Sequence, residues 1–303
     1  MHGLAPGARF NLIVAANNAG NVLNDAVQYA VQNHLGNVLS MSYGSPEALI
    51  AGGGNNSQLS QAHTIFSQAV AAGISLFASS GDSGATNGLA SANALYPASD
   101  PNVTATGGTD LFVKADTSQK STNYTYAGET TWNDSDPSTC PFGCSYGIFG
   151  ATGGAPSSVF TASSYQTTAS GYTARTTSDV AFNSSVYTAT LIYLGFLGSA
   201  NNGFYFFGGT SEAAPSWAAV TAILDQANGA SLGAMNPVLY LLASKPTTYA
   251  ADFHDVTIGN DILPYPTAPG YPAGKGYDLP TGLGTPIVTG LLHTLAPSAV
   301  LGF

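Results

Sequence analysis

Charge is what this sequence has least of. Only 7% of its 303 residues are Asp, Glu, Lys or Arg, against about 25% in an average soluble protein. Lys and Arg together number six, and the formal net charge is −10. Phosphate backbones are held by clustered basic side chains, so the composition argues against a nucleic-acid partner. The surface must be covered by Ser, Thr, Asn, Gln, Tyr and Gly instead. With few carboxylates to protonate, acid has little charge to act on, which suits a protein working at low pH. A secreted protein of neutral surroundings with a polar, uncharged coat fits the same composition.

Long hydrophobic runs are also missing. No stretch of about 20 apolar residues is free of polar breaks, so no membrane span is expected. Met1–Ala8 has neither the basic start nor the apolar run of a signal peptide. Cysteine is scarce: Cys140 and Cys144 stand alone in a C-x3-C spacing with Pro and Gly between them. Zinc would need two more ligands close by, and a local disulfide is the preferred reading for a secreted chain. Asn-x-Ser/Thr sequons at Asn55, Asn102, Asn123, Asn133 and Asn183 lend secretion weak support, because a chain rich in Ser, Thr and Asn produces several by chance.

Apolar residues (44%) and glycine (36 residues) are plentiful. That is enough apolar material for a large core, and no low-complexity linker divides the chain, so one domain over residues 1–303 is expected. Phe10–Ala16, Val38–Tyr43, Ile74–Ser79 and Val103–Thr106 read as strands. Asn24–Asn33 and Ser57–Ala72 read as helices from their apolar spacing. This alternation predicts an α/β fold, a parallel sheet with helices on both faces. Ligands in such sheets bind at the carboxyl ends of the strands, which directs attention to Ser42–Glu47 and Ser79–Gly84. The middle, about 112–171, reads as loops and short strands. Phe204–Phe207 reads as a strand leading through two glycines into a helix over Ala213–Ala227.

Ser211 stands at that strand-to-helix junction. Glycines let a substrate backbone come close, and a helix N-terminus offers free N–H groups to developing negative charge. Pro215 is placed by this reading in the first helical turn, where its missing N–H does no harm. On position alone the N-cap is the preferred reading of Ser211. The full string Gly-Thr-Ser-Glu-Ala-Ala-Pro at 209–215 resembles the Gly-Thr-Ser-x-x-x-Pro signature shared by sedolisins and the subtilisin clan. It is not the Gly-x-Ser-x-Gly elbow of α/β-hydrolases, since Ala213 occupies the last position. None of the five histidines (His2, His34, His63, His254, His293) lies in a Gly-rich pre-helical setting, which points to sedolisins, the serine-carboxyl peptidases. Further strings resemble that family: Ala5–Ala8 (APGA), Val38–Glu47 (VLSMSYGSPE), Ser79–Ala85 (SSGDSGA), 96–111 (YPASDPNVTATGGTDL), 128–132 (GETTW) and 178–181 (SDVA).

The resemblance implies a subtilisin-like sheet and assigns roles. Ser211 is the nucleophile. Asp82 belongs to the oxyanion hole, where a protonated carboxyl donates a hydrogen bond and an ionised one repels, which implies action in acid. Ser42, Tyr43 and Gly44, with Thr152 and Gly153 across the cleft, would line the substrate. Asp255 and Asp278 by side chain, and Val256, Gly274 and Gly276 by carbonyl, would hold one Ca2+, a cation that favours such hard oxygen donors. The family's catalytic Glu and Asp fall before the Ala5–Ala8 segment, hence upstream of Met1, so the chain is expected to be truncated at its start and lacking its prosegment, and crippled as given. Glu212 reads as a first-turn acid rather than a substitute base. The resemblance implies a secreted endopeptidase acting on protein or peptide substrates at acidic pH, with its own prosegment as a partner in a longer precursor. A tripeptidyl-peptidase of the same family, and an inactive calcium-stabilised peptide-binding remnant, are the alternatives.

Overall fold

The computed structural model describes residues 1–54, 56–116, 123–136, 150–264 and 269–297. Cys140, Cys144 and the sequon Asn55 lie outside them. The chain first runs through helix α1 (Gly20–Gln32), strands β1 (Val38–Met41) and β2 (Ser45–Pro46), helices α2 (Glu47–Gly52) and α3 (Asn56–Ala71) and strand β3 (Ser75–Ser79). Strands β4 (Leu95–Tyr96), β5 (Thr104–Asp116), β6 (Asn123–Thr131) and β7 (Ala155–Thr161), helix α4 (Ser164–Ser170) and strands β8 (Ala174–Thr177), β9 (Val180–Asn183), β10 (Thr190–Leu194) and β11 (Gly203–Phe207) follow. Helices α5 (Thr210–Asn228), α6 (Met235–Ala243) and α7 (Pro246–Asp252), strands β12 (Phe253–His254) and β13 (Thr285–Pro286) and helix α8 (Val288–Leu295) complete it.

The main sheet runs β1-β3-β5, with β9 parallel on the far side of the first part of β5 and β6 antiparallel to its remainder. The α/β expectation therefore holds, with a parallel sheet covered on both faces. β3 is buried throughout, and its side chains alternate as a pleat requires. Leu76 and Ala78 enter the core formed by α1 and α3, whereas Phe77 enters the core around Trp217 of α5. On α3, Leu59, Ala62, Ile65, Phe66 and Ala69 are buried, a helical stripe that explains why this segment is a helix. Helix α5 is buried along most of its length. Its alanines at 213, 214, 218 and 219 let it lie close to the sheet, and Trp217 Nε1 donates to the Ala181 carbonyl at 2.7 Å. Gly229, at φ +75°, ends it in a left-handed cap.

The expected strand over Phe10–Ala16 does not form: this segment makes no sheet pairing, and Leu12 and Val14 are 88% and 81% exposed. A strand exists only through its ladder, and β1 is the edge of the sheet on that side. The segment instead borders a cavity of about 440 Å3 that Val38, Leu39 and Met41 also line. In the middle of the chain, β5 and β6 form a longer antiparallel ribbon than the loop-rich sequence suggests, with a register shift between Phe112 and Val113. The sequons divide: Asn123 is exposed, but Asn133 and Asn183 are buried, so those two cannot accept a glycan in the folded chain. Among the described residues no helix is long and apolar enough to cross a membrane.

Candidate active site

Three segments meet at the N-terminus of α5. The first is the turn into that helix. Gly209 has φ +86°, and a Cβ there would lie 2.6 Å from Asp82 Oδ2. Both conformation and space therefore require glycine. Thr210, the first helical residue, is fully buried, and its backbone N and its Oγ1 both donate to Asp82 Oδ1 at 2.7 Å. The same Oγ1 accepts from Gly81 N at 3.1 Å. Ser211 follows, exposed at the surface.

Pro215 lies beyond the first turn of α5, correcting the sequence expectation. In a continuous helix the N–H of residue 215 would bond the carbonyl of residue 211. Proline has none, so the Ser211 carbonyl is left open, and the Ser42 hydroxyl donates to it at 2.8 Å. The proline thus creates the acceptor through which the segment after β1 holds the Gly-Thr-Ser turn.

The second segment carries Asp82, exposed in the loop after β3. Gly81 has φ +115°, and a Cβ there would collide with the Asn87 side chain. The loop is held by residues 151–153: Gly153 N donates to Gly81 O at 2.8 Å, Ala151 N to Asp82 O at 3.2 Å, and Gly84 N to Ala151 O at 3.0 Å. Thr152 lies in this bracing strip, but its hydroxyl is buried, accepting from Gly108 N at 2.8 Å and facing the Pro280 carbonyl at 3.2 Å. Its side chain supports the floor rather than facing the cleft. Gly153 passes so close to Ser80 O that a Cβ would sit 2.1 Å from it.

The third segment is Ser42-Tyr43-Gly44, after β1. A Cβ on Gly44 would meet the Leu95 side chain at 2.5 Å and Tyr96 O at 2.8 Å, so no side chain fits. Tyr43 and Gly44 line a cavity of about 480 Å3 together with Leu49, Ile50, Phe66 and Tyr96. Burial pushes the Tyr43 phenol up to about 12, so it stays neutral, and its ring forms part of the cavity wall.

Among the described residues no imidazole or carboxylate hydrogen-bonds to Ser211 Oγ. His63 is committed to Asp100, with Nδ1 2.9 Å from Oδ2. That bond raises its pKa. His254 stacks on Tyr126 with ring centroids 3.7 Å apart, and burial lowers its pKa. Glu212 is more than a surface acid at a helix start. It receives a hydrogen bond from Thr190 Oγ1 of β10, its Oε2 is enclosed without a partner, and burial pushes its pKa up to about 7. Sequence reading missed this because the partner lies on another element.

Of the five residues proposed for a cation, Asp255 and Asp278 lie near each other, tied by hydrogen bonds to Gly276 and Gly274, and among the described residues no third His, Cys, Asp or Glu joins them. Asp255 accepts from Gly276 N at 3.0–3.1 Å and from the Tyr249 hydroxyl at 3.0 Å. Asp278 accepts from Gly274 N at 2.8 Å, and from Thr281 N and Oγ1 at 2.8 and 2.9 Å. Val256 is buried beside Asp255, and Gly276 has φ +80°. Burial first, and the Asp255 charge in addition, push Asp278 up to about 7 despite its donors. Two neighbouring carboxyl groups are hard oxygen donors of the kind that suit a divalent cation.

Residues 1–242 match the family model described as the Subtilase family. Kumamolisin of Bacillus sp. (strain MN-32) is 34% identical over 98% of this chain and 49% of its own length. Sedolisin of Pseudomonas sp. (strain 101) is 32% identical over 89% of this chain and 42% of its own. The solved structure of Pseudomonas sedolisin, a serine-carboxyl proteinase complexed with two molecules of pseudo-iodotyrostatin, superposes with a TM-score of 0.76 at 30% identity. That match covers 96% of this chain and 73% of the other. The chain spans about half the length, or less, of the curated relatives it matches.

Proposed function

The chain belongs to the subtilase family, in its sedolisin (serine-carboxyl peptidase) branch, and from that premise we propose that it is the core of an endopeptidase that cleaves proteins in acid. Ser211 Oγ attacks the scissile carbonyl. The oxyanion that forms takes a hydrogen bond from the Ser211 N–H, a helix-start donor without an intrahelical acceptor, and a second from Asp82. The observation that carries the reading is the bond pattern at Asp82. Oδ1 accepts two hydrogen bonds from Thr210, which leaves Oδ2 as the oxygen that could meet the oxyanion. A protonated carboxyl there would donate, whereas an ionised one would repel the oxyanion, which is why this reading puts the activity in acid. The proton acceptor for Ser211 is, on this reading, the Glu and Asp that the resemblance puts just ahead of Ala5–Ala8.

Asp255 and Asp278 by carboxylate, and Val256, Gly274 and Gly276 by carbonyl, would hold a calcium ion. Bound there, it supplies charge neutralisation for a loop far along the chain from Ser211, a structural role. The low-charge coat and the acid requirement support a secreted enzyme, made with its own prosegment. The test is cleavage of a denatured protein at about pH 4, in the range where carboxyl groups titrate, by a form bearing the upstream segment. Activity is expected there, lost in Ser211→Ala and at neutral pH. Retained peptide binding without cleavage by that form would favour a non-catalytic peptide-binding role.

A further inference from the structure

The β10–β11 hairpin is left unused by this chemistry and uncovered by the fold. It is a two-stranded sheet of its own, outside the main sheet. Leu191 lies opposite Phe206 and Tyr193 opposite Phe204, so these four side chains share one face, and they are 54–75% exposed. On the other face Tyr205 and Phe207 are exposed as well. Four consecutive aromatic residues of β11, Phe204 to Phe207, thus stand in contact with water. Phe196, at the turn, is 80% exposed. Monomeric soluble proteins seldom leave contiguous apolar surface of this kind open. A two-stranded ribbon alone is marginal in water, and additional strands stabilise it.

Charge and backbone say what would cover it. From residue 180 to residue 211 there is no Asp, Glu, Lys, Arg or His. Of the charged residues flanking this run, Asp179 is fully buried against Arg175, and Glu212 is bonded by Thr190 at the base of the hairpin. The hairpin therefore offers no charge for an acidic or basic partner to match. Among the described residues, no backbone N–H or C=O of residues 203–207 bonds outside the hairpin, so the outer edge of β11 is open. Hydrocarbon cannot satisfy such groups, whereas another strand can. An aromatic edge with no charged side chain to guard it pairs readily with an edge of its own kind. A second copy of this chain offers that edge, in the antiparallel sense that a twofold axis imposes. Acid favours its approach: the net charge of −10 at pH 7 vanishes near the sequence pI of about 4.5, which removes the repulsion between copies.

We infer that β11 is a self-association edge. Two copies of this chain pair β11 against β11 across a twofold axis, which joins their hairpins into one four-stranded sheet. The pairing brings Phe204 and Phe206 of the two copies side by side on one face. This inference is independent of the peptidase reading and is tested without turnover.

The experiment is sedimentation velocity of the full chain near its pI of about 4.5, over about 1–100 μM, a span that brackets micromolar association. The mean mass should rise with concentration towards twice the 30.7 kDa of one chain. Phe206→Lys puts like charges side by side across the pairing and should raise the dissociation constant by about tenfold or more. Backbone hydrogen exchange of the wild type should show protection over residues 204–207 growing with concentration, while β3 stays unchanged. A chain that remains monomeric throughout would overturn the inference. So would a dimer that Phe206→Lys leaves intact, or one whose added protection lies away from 204–207. Binding of a monomeric chain to phosphatidylcholine vesicles would overturn it in favour of a lipid surface. If the lysine variant does not fold, the concentration dependence of protection at 204–207 in the wild type decides alone.

Discussion

Two carboxyl sites at opposite ends of the sequence are built on different electrostatic terms. Asp82 is a single acid met by neutral dipoles: the N–H and hydroxyl of Thr210 both converge on Oδ1. Its second oxygen lies beside Gly209, where a side chain has no room. Asp255 and Asp278 are a pair, each already holding backbone N–H groups, and Asp278 is pushed up by burial first and by the Asp255 charge in addition. Dipoles suffice to orient one acid. Two acids sharing a loop need either protons or a cation. The same residue type is thus proposed as a reacting group in one place and a cation ligand in the other, and the neighbours make the difference.

Breaking the first site should have the largest effect. In the form carrying the upstream acids, Asp82→Ala removes an oxyanion donor and strands the Thr210 donors. A loss of about 10²–10³-fold in kcat is expected, the usual size for one oxyanion donor, with KM much less affected. Steady-state kinetics at acidic pH would check it; an unchanged kcat would remove Asp82 from the reaction.

Breaking the second site should affect stability instead. Chelation is expected to lower the unfolding free energy by about 2.7 kcal/mol if the ion is present at a hundred times its Kd. The effect should be larger at pH 7.5 than at pH 4, because protons compete for Asp278. Thermal unfolding with and without chelator measures this, and Asp278→Asn should make the two curves coincide.

The smallest effect sharpens the comparison without calcium. Asp110, Glu212 and Asp278 are each pushed up to about 7, mainly by burial. Glu129, Asp134, Asp225, Asp252 and Asp261 shift the same way for the same leading cause. A carboxyl with a raised folded pKa binds its proton more tightly when folded. Its contribution is fully present below the unfolded value near 4 and is lost as pH rises through the folded value. The calcium-free chain should therefore melt higher, by roughly a few degrees, at pH 4.5 than at pH 7.5. A higher melting point at the neutral pH would contradict the burial assigned to these acids.

Where a residue's role depends on its near neighbours in sequence, it was legible early. The apolar stripe of α3, the buried run of β3 and the Gly-Thr-Ser turn into α5 all carry local patterns. Phe10–Ala16 misled because its apolar residues look like a strand, while a strand requires a partner that periodicity does not contain. Thr152 was placed in the cleft by its string, but its hydroxyl turns to Gly108 and Pro280, which stand far away in the chain. Glu212 hid its burial for the same reason.

The sequence by itself determined the alternation of strands and helices, the glycines at 81 and 209, the seryl residue at a helix start and the acids able to hold a cation, because short-range sterics and residue chemistry act within a few positions. Only the tertiary structure decided that Ser42 would hold the carbonyl freed by Pro215, that Asp82 would orient one oxygen inward and leave the other open, and that Glu212 would meet Thr190. These depend on side chains tens to more than a hundred positions apart, whose approach is set by packing of the sheet against α5 and not by any local preference.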